Sequence, residues 1–256
     1  MYAGDAGLHI AAAAYQRGPA HHPVASAVVN QVAAATSTRL HLVRHCDVRN
    51  PNGVLYGHLP DFPLSEKGIK QAHALGRYFA ARSIPQIYSS PLERARQTAE
   101  IIASYLDHVP ITYTEDLIET RFGIYLQGVP PKQVPWRRPL WFVHMAWPGL
   151  LPSDESVAAL AARLQRPLTS LLTDHAGEGG ICVSHGDPIQ GFWVTADRRP
   201  RYALHRLQCA KGGVLELEYR GTALERLTYL SPARIAELAP ETDQTAAGSR
   251  SGSGSG

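Results

Sequence analysis

Leu42-Val43-Arg44-His45 and Cys182-Val183-Ser184-His185 are two apolar runs, far apart in the chain, that each stop on a histidine. The first also carries an arginine, and Arg94 and Glu119 lie between the two runs. These are the groups that phosphoryl transfer needs. A phosphate monoester is a dianion, and its transfer requires charge neutralisation, in-line positioning and a proton for the departing oxygen. Arg44 and Arg94 offer permanently charged, forked donors that match phosphate oxygens. A neutral His45 imidazole can attack phosphorus, since nearby guanidinium charge disfavours its protonation and leaves a lone pair free. His185 can donate to an equatorial oxygen. Glu119 follows the apolar pair Leu117-Ile118, and partial burial there would raise its pKa. It could then protonate the leaving oxygen and deprotonate water, work typically worth about 100- to 10,000-fold in rate.

Taken singly, each residue also has a plain structural reading. A histidine at a strand end is commonly a hydrogen-bonded structural group, Glu119 can pair with Arg121, and Arg94 can reach solvent. Ser184, His185 and Asp187 are too close in sequence to line up as a hydrolase triad.

The elements that must position these groups follow from apolar periodicity. Leu40 to Val43 reads as a buried strand after polar Thr38-Arg39, and a cationic tip is tolerable where the strand opens into a cleft that receives an anion. The same reasoning applies to Gly180–Ser184, so both tips are expected to converge with His45 and His185 on either side of one phosphoryl group. Ser65 is expected to cap a helix with Ile69, Ala72, Leu75 and Phe79 on its buried stripe, despite Gly68 and Gly76. Residues 85–89 form a short strand. Ser90 and Glu93 then read as a capping box with Pro91 in the first helical position, opening a helix that buries Leu92, Ala95, Ala99, Ile102 and Leu106. Arg94 sits in its first turn, where the helix dipole disfavours a cation unless an anion docks.

Ile111-Thr112-Tyr113 is a further short strand. Residues 129–150 hold five prolines and three tryptophans, Trp136, Trp141 and Trp147, and read as an irregular lid or wall. Ser153-Asp154 is expected to cap a helix through Leu171, kinked at Pro167, and Pro188 to Ala196 reads as another helix. Val214–Tyr219 and Leu224–Leu230 alternate and form a terminal hairpin. Strands alternating with helices predict an α/β fold: a three-layer sandwich with a mainly parallel central sheet, helices on both faces and the hairpin at or near the sheet edge.

Composition bounds the rest. The 256 residues, 44% of them apolar, suffice for a real core. A formal charge of +3 without clustering argues against nucleic acid as a partner. No run approaches the roughly 18 apolar residues needed to cross a bilayer. Three cysteines, Cys46, Cys182 and Cys209, have neither disulfide nor zinc spacing, so a reducing cytoplasm is the expected compartment. Residues 1–38 lack a basic leader and read as a disordered extension, 39–238 as the folded domain and 239–256 as a flexible Gly/Ser-rich tail.

Five blocks together resemble the histidine phosphatase superfamily, also called phosphoglycerate mutase-like. They are Leu42-Val43-Arg44-His45 with Asp47; Pro63 to Gly68; Ser89 to Ala99; Leu117-Ile118-Glu119 with Phe122-Gly123; and Val183 to Pro188. The resemblance covers about residues 39–230. It implies that His45 is the phosphorylated histidine, that Arg44, Arg94 and His185 form the phosphate pocket, that Glu119 is the proton donor, and that no metal or other cofactor is needed. Asn50, Asn52 and Gly57 in the following loop are further substrate-binding candidates. Two departures stand out. The residue after the nucleophile is normally Gly and here is Cys46, which is either a tolerated small residue or, if the arginines lower its pKa, an oxidation-sensitive switch. The family's mutases place an Asn six positions past the nucleophile, where this chain has Pro51.

The mutases also carry a long helical insertion after the acid-bearing block. Only residues 124–152 occupy that place here, which points to the phosphatase branch: a phosphomonoesterase acting on a small phosphorylated metabolite, with the three tryptophans walling the leaving-group side. A mutase-type phosphotransferase is the alternative within the family. A non-catalytic phospho-ligand binding protein is the alternative of another class. The oligomeric state is not legible.

Overall fold

The structure, a computed structural model, describes residues 36–107, 109–151 and 154–240. The extension and tail read from the sequence fall almost wholly outside these residues. Six strands form one sheet: β1 (Ser37–Arg44), β2 (Ile87–Ser89), β3 (Ile111–Tyr113), β4 (Gly179–Ser184), β5 (Val214–Arg220) and β6 (Ala223–Leu230), in the order β3-β2-β4-β1-β5-β6. The first four run parallel, whereas β5 and β6 are antiparallel and close the edge as a hairpin. The helices are α1 (Glu66–Phe79), α2 (Glu93–Ala103), α3 (Phe122–Leu126), α4 (Val134–Arg137), α5 (Trp141–Ala146), α6 (Val157–Asp174), α7 (Gly186–Ala196) and α8 (Pro232–Leu238).

Strand alternation divides the core into two layers. Val43, Ile87, Ile181 and Val183 face Leu75 and Phe79 of α1 and Ala99 and Ile102 of α2. Leu40, Leu42, Cys182 and Leu217 face Leu164, Leu168 and Leu171 of α6 and Ile189 and Phe192 of α7. With both faces covered, β4 is buried from end to end and β1 is buried from Leu40 to Val43, as parallel central strands are. Truncating Leu40 or Leu42 to Ala would cost about 2–5 kcal/mol.

Several local expectations need correction. β1 starts at Ser37 rather than after Arg39, because β5 and the loop before β4 satisfy its polar residues: Arg39 meets Glu218 of β5 at 3.2 Å, and Thr38 Oγ1 accepts from Gly177 N–H of that loop at 2.8 Å. Ser65 caps α1 through Gly68 N–H as expected, but Ile69 is 41% exposed and its buried place on the stripe goes to Gly68. Gly68 and Gly76 permit close packing instead of merely weakening α1. A Cβ on them would lie 2.0 Å from Asp47 O and 2.2 Å from the Tyr105 ring.

Ser90 and Glu93 do not form a capping box: α2 starts at Glu93 rather than Pro91, with Leu92 at the cap position and no side-chain cap bond. The helix α6 is capped by Ser156, whose side chain accepts from Ala159 N–H, and it runs through Pro167; Ser153 lies outside the described residues. The proline-rich stretch is not wholly irregular. Pro130, Pro131, Pro135 and Pro139 sit at or before helix starts, where a missing N–H is harmless, Pro148 follows the end of α5, and the prolines cut the stretch into the short helices α4 and α5.

Candidate active site

Sheet register brings the two histidines together. Arg44 pairs with Ser184 at the adjacent parallel tips of β1 and β4, and His45 N–H donates to Ser184 O at 2.9 Å. Neighbouring β2 pairs Ser89 with Val183, and Ser90 N–H continues the ladder to Val183 O at 2.9 Å. Three consecutive strands therefore deliver His45, His185 and the start of α2 to one place at the carboxyl edge of the sheet. This is where open α/β sheets bind ligands.

The protonation of His45 is fixed from both sides. Its Nδ1 lies 2.8 Å from Cys46 O, which can only accept, so Nδ1 carries the hydrogen. Its Nε2 lies 3.3 Å from Arg94 Nε, which can only donate, so Nε2 presents its lone pair. Burial, then Arg94 and Arg44, hold the His45 pKa well below its usual value and keep the ring neutral. A neutral imidazole with a directed lone pair is a nucleophile.

His185 is also fully buried, and burial, Arg94 and His45 depress its pKa. Its Nε2 lies 2.8 Å from Ser90 Oγ, and its Nδ1 is buried without a hydrogen-bond partner. The two rings are 5.1 Å apart, tilted by 56°. This corrects the expectation that they face each other across a phosphoryl group. Reacting atoms approach to about 3–3.5 Å, so a phosphorus atom between them would need roughly twice that space. A phosphoryl group fits beside the pair, not between its members. Ser90 is the site residue that sequence reasoning missed; its Ser-x-x-Glu pattern is that of a helix cap.

Arg94 does not reach solvent. It is 1% exposed, its side chain donates to His45 and to Gly57 O at 2.7 Å, and its guanidinium lies 4.7 Å from the Tyr56 ring centre. Gly57 belongs at that contact for a backbone reason. Its φ of +44° is left-handed, and a Cβ would stand 2.6 Å from Gly123 O. Arg44 donates to Cys209 O, while its Nε is buried and unpartnered. Gly186 opens α7 against this guanidinium, where a Cβ would lie 3.3 Å from Arg44 Cζ. The positive end of α7 and two arginines thus share one small region, which favours an anion. Lys211 adds a third cation, 3.1 Å from Asp47, and also lines the cleft.

Glu119 is half-buried and lines the same cleft. His58 Nε2 donates to its carbonyl at 2.8 Å, and its carboxylate accepts from Thr120 N–H at 2.9 Å. The Arg121 backbone N–H turns instead to Glu155. Asp187, in the first turn of α7, is a second acid on the cleft wall, and burial followed by the Glu119 charge pushes its pKa upward.

Asn50 lines the cleft, but its amide is engaged by Val54 N–H and Val54 O, so it braces its own loop. Asn52 is exposed and does not line the cleft. Of the three tryptophans only Trp141 does so; Trp136 is 87% exposed, and Trp147 lies under Arg201 at 3.8 Å. Cys46 is enclosed in the core, and burial pushes its thiol up to about 12, opposite to what an oxidation switch needs. No group of three or more potential metal ligands occurs among the described residues.

Comparison with known proteins finds relatives over most of the chain. The chain is 34% identical over 199 residues to an uncharacterised protein of Mycobacterium tuberculosis, covering 77% of this chain and 98% of that one. It is 30% identical over 206 residues to the probable phosphoglycerate mutase GpmB of Citrobacter koseri, covering 78% and 92%. The structure of phosphoserine phosphatase from Entamoeba histolytica with 3-phosphoglyceric acid has the same fold, with a TM-score of 0.65, 24% identity and coverage of 77% and 99%. The sequence pattern of the histidine phosphatase superfamily (branch 1) matches residues 40–229, and the chain belongs to that superfamily.

Proposed function

We propose that the protein is a metal-independent phosphomonoesterase that hydrolyses a small phosphorylated metabolite through a phosphohistidine on His45. The observation that carries this reading is the fixed tautomer of His45: Nδ1–H on the Cys46 carbonyl and a lone pair on Nε2, in a ring kept neutral. In the first step Nε2 attacks phosphorus and a P–N bond forms as the ester P–O bond breaks. Arg44 and Arg94 hold the phosphoryl oxygens, His185 donates to one of them, and Glu119 gives its proton to the departing alkoxide. In the second step Glu119 takes a proton from water, the resulting hydroxide attacks phosphorus, and the P–N bond breaks to release inorganic phosphate. Both steps use the same acid, so Glu119 ends as it began.

The cleft encloses about 540 Å³, a size for a small ligand rather than a macromolecule. With a formal charge of +3 and no described helix long and apolar enough to cross a membrane, the reading has neither nucleic acid nor membrane as partner. Three free, buried cysteines suit the cytoplasm. The 30% identity to a probable phosphoglycerate mutase favours a second reading, transfer of the phosphoryl group back to a sugar-acid acceptor instead of to water. Incubation with a panel of phosphate esters separates the two. Release of inorganic phosphate that is lost in His45→Ala supports the hydrolase, whereas isomerised ester without net release supports the mutase. Neither outcome with any ester would leave only a binding protein.

A further inference from the structure

The cleft has a second polar cluster that phosphoryl transfer does not use. His144 in α5 is buried with its Nδ1 2.7 Å from Asp154 Oδ2, and that carboxylate side chain is wholly enclosed. A carboxylate only accepts, so Nδ1 carries a hydrogen and Nε2 is the atom left for a ligand. Asp154 Oδ2 also takes Gly149 N–H at 2.8 Å, which ties the end of the proline-rich segment to the pair. Phe122 stacks on the His144 ring at 4.0 Å, 9° from parallel, and fixes its plane. His205 lies 5.0 Å from His144, and its Nε2 is buried with no hydrogen-bond partner. Both histidines line the cleft, as do Trp141 and Met145 from the same helix as His144.

A buried polar atom with no partner costs stability unless something arrives to satisfy it. Burial and the neighbouring His144 push the His205 pKa down to about 4, so the ring is neutral at ordinary pH. A neutral imidazole offers one donor and one acceptor, and a hydroxyl group is both at once. A carboxylate would find no fixed cation in this cluster and would meet the charge of Asp154.

We infer that His144, His205 and Trp141 form a subsite for the alcohol half of the ester, and that it takes a hydroxyl-bearing ring such as a pentose or hexose. The indole offers the flat apolar surface against which the C–H face of a sugar ring packs, while the two imidazoles take its hydroxyls. The assignment deepens the phosphomonoesterase reading by naming the class of leaving group.

The test compares ribose 5-phosphate with pentyl phosphate, which lacks the hydroxyls and the ring, in wild type, His205→Leu and His144→Phe. Dissociation constants are taken by calorimetry in the His45→Ala background, so that turnover does not consume the ligand, and kcat/KM is taken with His45 present. The expected result is at least tenfold preference for the sugar ester in wild type, reduced about tenfold in each variant, the size of one good hydrogen bond. His144→Phe strands the Asp154 carboxylate and can fail to fold, in which case His205→Leu decides alone. The proposal is overturned if wild type shows no preference, or if folded His205→Leu keeps it. Preference in binding without hydrolysis of either ester would uphold the subsite and reject the catalytic reading.

Discussion

Arg94 Nε points at His45 Nε2 from 3.3 Å, so the cation that would receive the phosphoryl group rests on the lone pair that would attack it. Arg94 does this from the first turn of α2 while its other arm is fixed on the Gly57 carbonyl. Positioning and neutralisation are thereby joined in one side chain. A lysine carries the charge but not the fork. Arg94→Lys should lower kcat/KM on a generic phosphate ester by about 100-fold or more, the loss typical of removing a transition-state donor, and retention of activity within a few-fold would contradict the assignment.

Gly57→Ala tests the other end of that arm. The substitution demands a left-handed alanine and a Cβ 2.6 Å from Gly123 O. The loop must shift and Arg94 loses its carbonyl anchor. Stability should fall by about 1–3 kcal/mol, measured by urea denaturation, and kcat should fall with it.

Ser90→Ala separates a capping role from a site role. Ser90 Oγ contacts His185 at 2.8 Å and accepts the Leu92 N–H only at 3.3 Å, outside the first turn of α2, which has no side-chain cap bond. Activity should therefore fall about tenfold or more, while thermal stability changes less than the ~1 kcal/mol expected of a lost helix cap. The reverse pattern, a destabilised but fully active enzyme, would return Ser90 to the helix.

Acid should destabilise the fold below about pH 6.5, the ordinary histidine value. Burial, with Arg82 and Arg39, pushes the His41 pKa down to about 3, and His45 and His185 are depressed as well. Between the folded and unfolded pKa values the unfolded chain binds more protons, so stability rises with pH there and is lost as pH falls. Each such histidine contributes a slope of about 1.4 kcal/mol per pH unit. Melting temperatures between pH 7 and 5 should drop in wild type, and more gently in His41→Asn; parallel curves would remove His41 from the account.

Cys46 should not act as an oxidation switch. With its thiol enclosed and pushed up to about 12, the thiolate that peroxide attacks is scarce. Wild type and Cys46→Ser should lose activity at the same rate in a peroxide titration, and selective protection in the serine variant would show otherwise.

What could be read from the sequence was local. β1 and β4 were legible because apolar runs that end on charged or polar residues mark buried strands opening into a cleft, and parallel register then does the rest. Arg94 was legible only through the resemblance, because a cation in a helix's first turn reads as readily as one that reaches solvent as one that waits for an anion. Ser90 was not, since Ser-x-x-Glu reads the same whether the hydroxyl turns to its own helix or to a histidine on the next strand. The start of β1 was misjudged because Thr38 and Arg39 are satisfied only by β5 and the loop at Gly177. His144, Asp154 and His205 gave no pattern, as their contacts cross from one irregular segment to another. The spacing of the two central histidines was also out of reach: register sets it, and at 5.1 Å it places the rings side by side.

The most direct test is to trap the intermediate. Wild-type protein mixed with a phosphate ester and quenched in base within the first turnovers should carry one phosphoryl group on the peptide containing His45, stable to base, released by acid and missing in His45→Ala. Turnover with no label on that peptide, or the same label in His45→Ala, would contradict nucleophilic attack by His45.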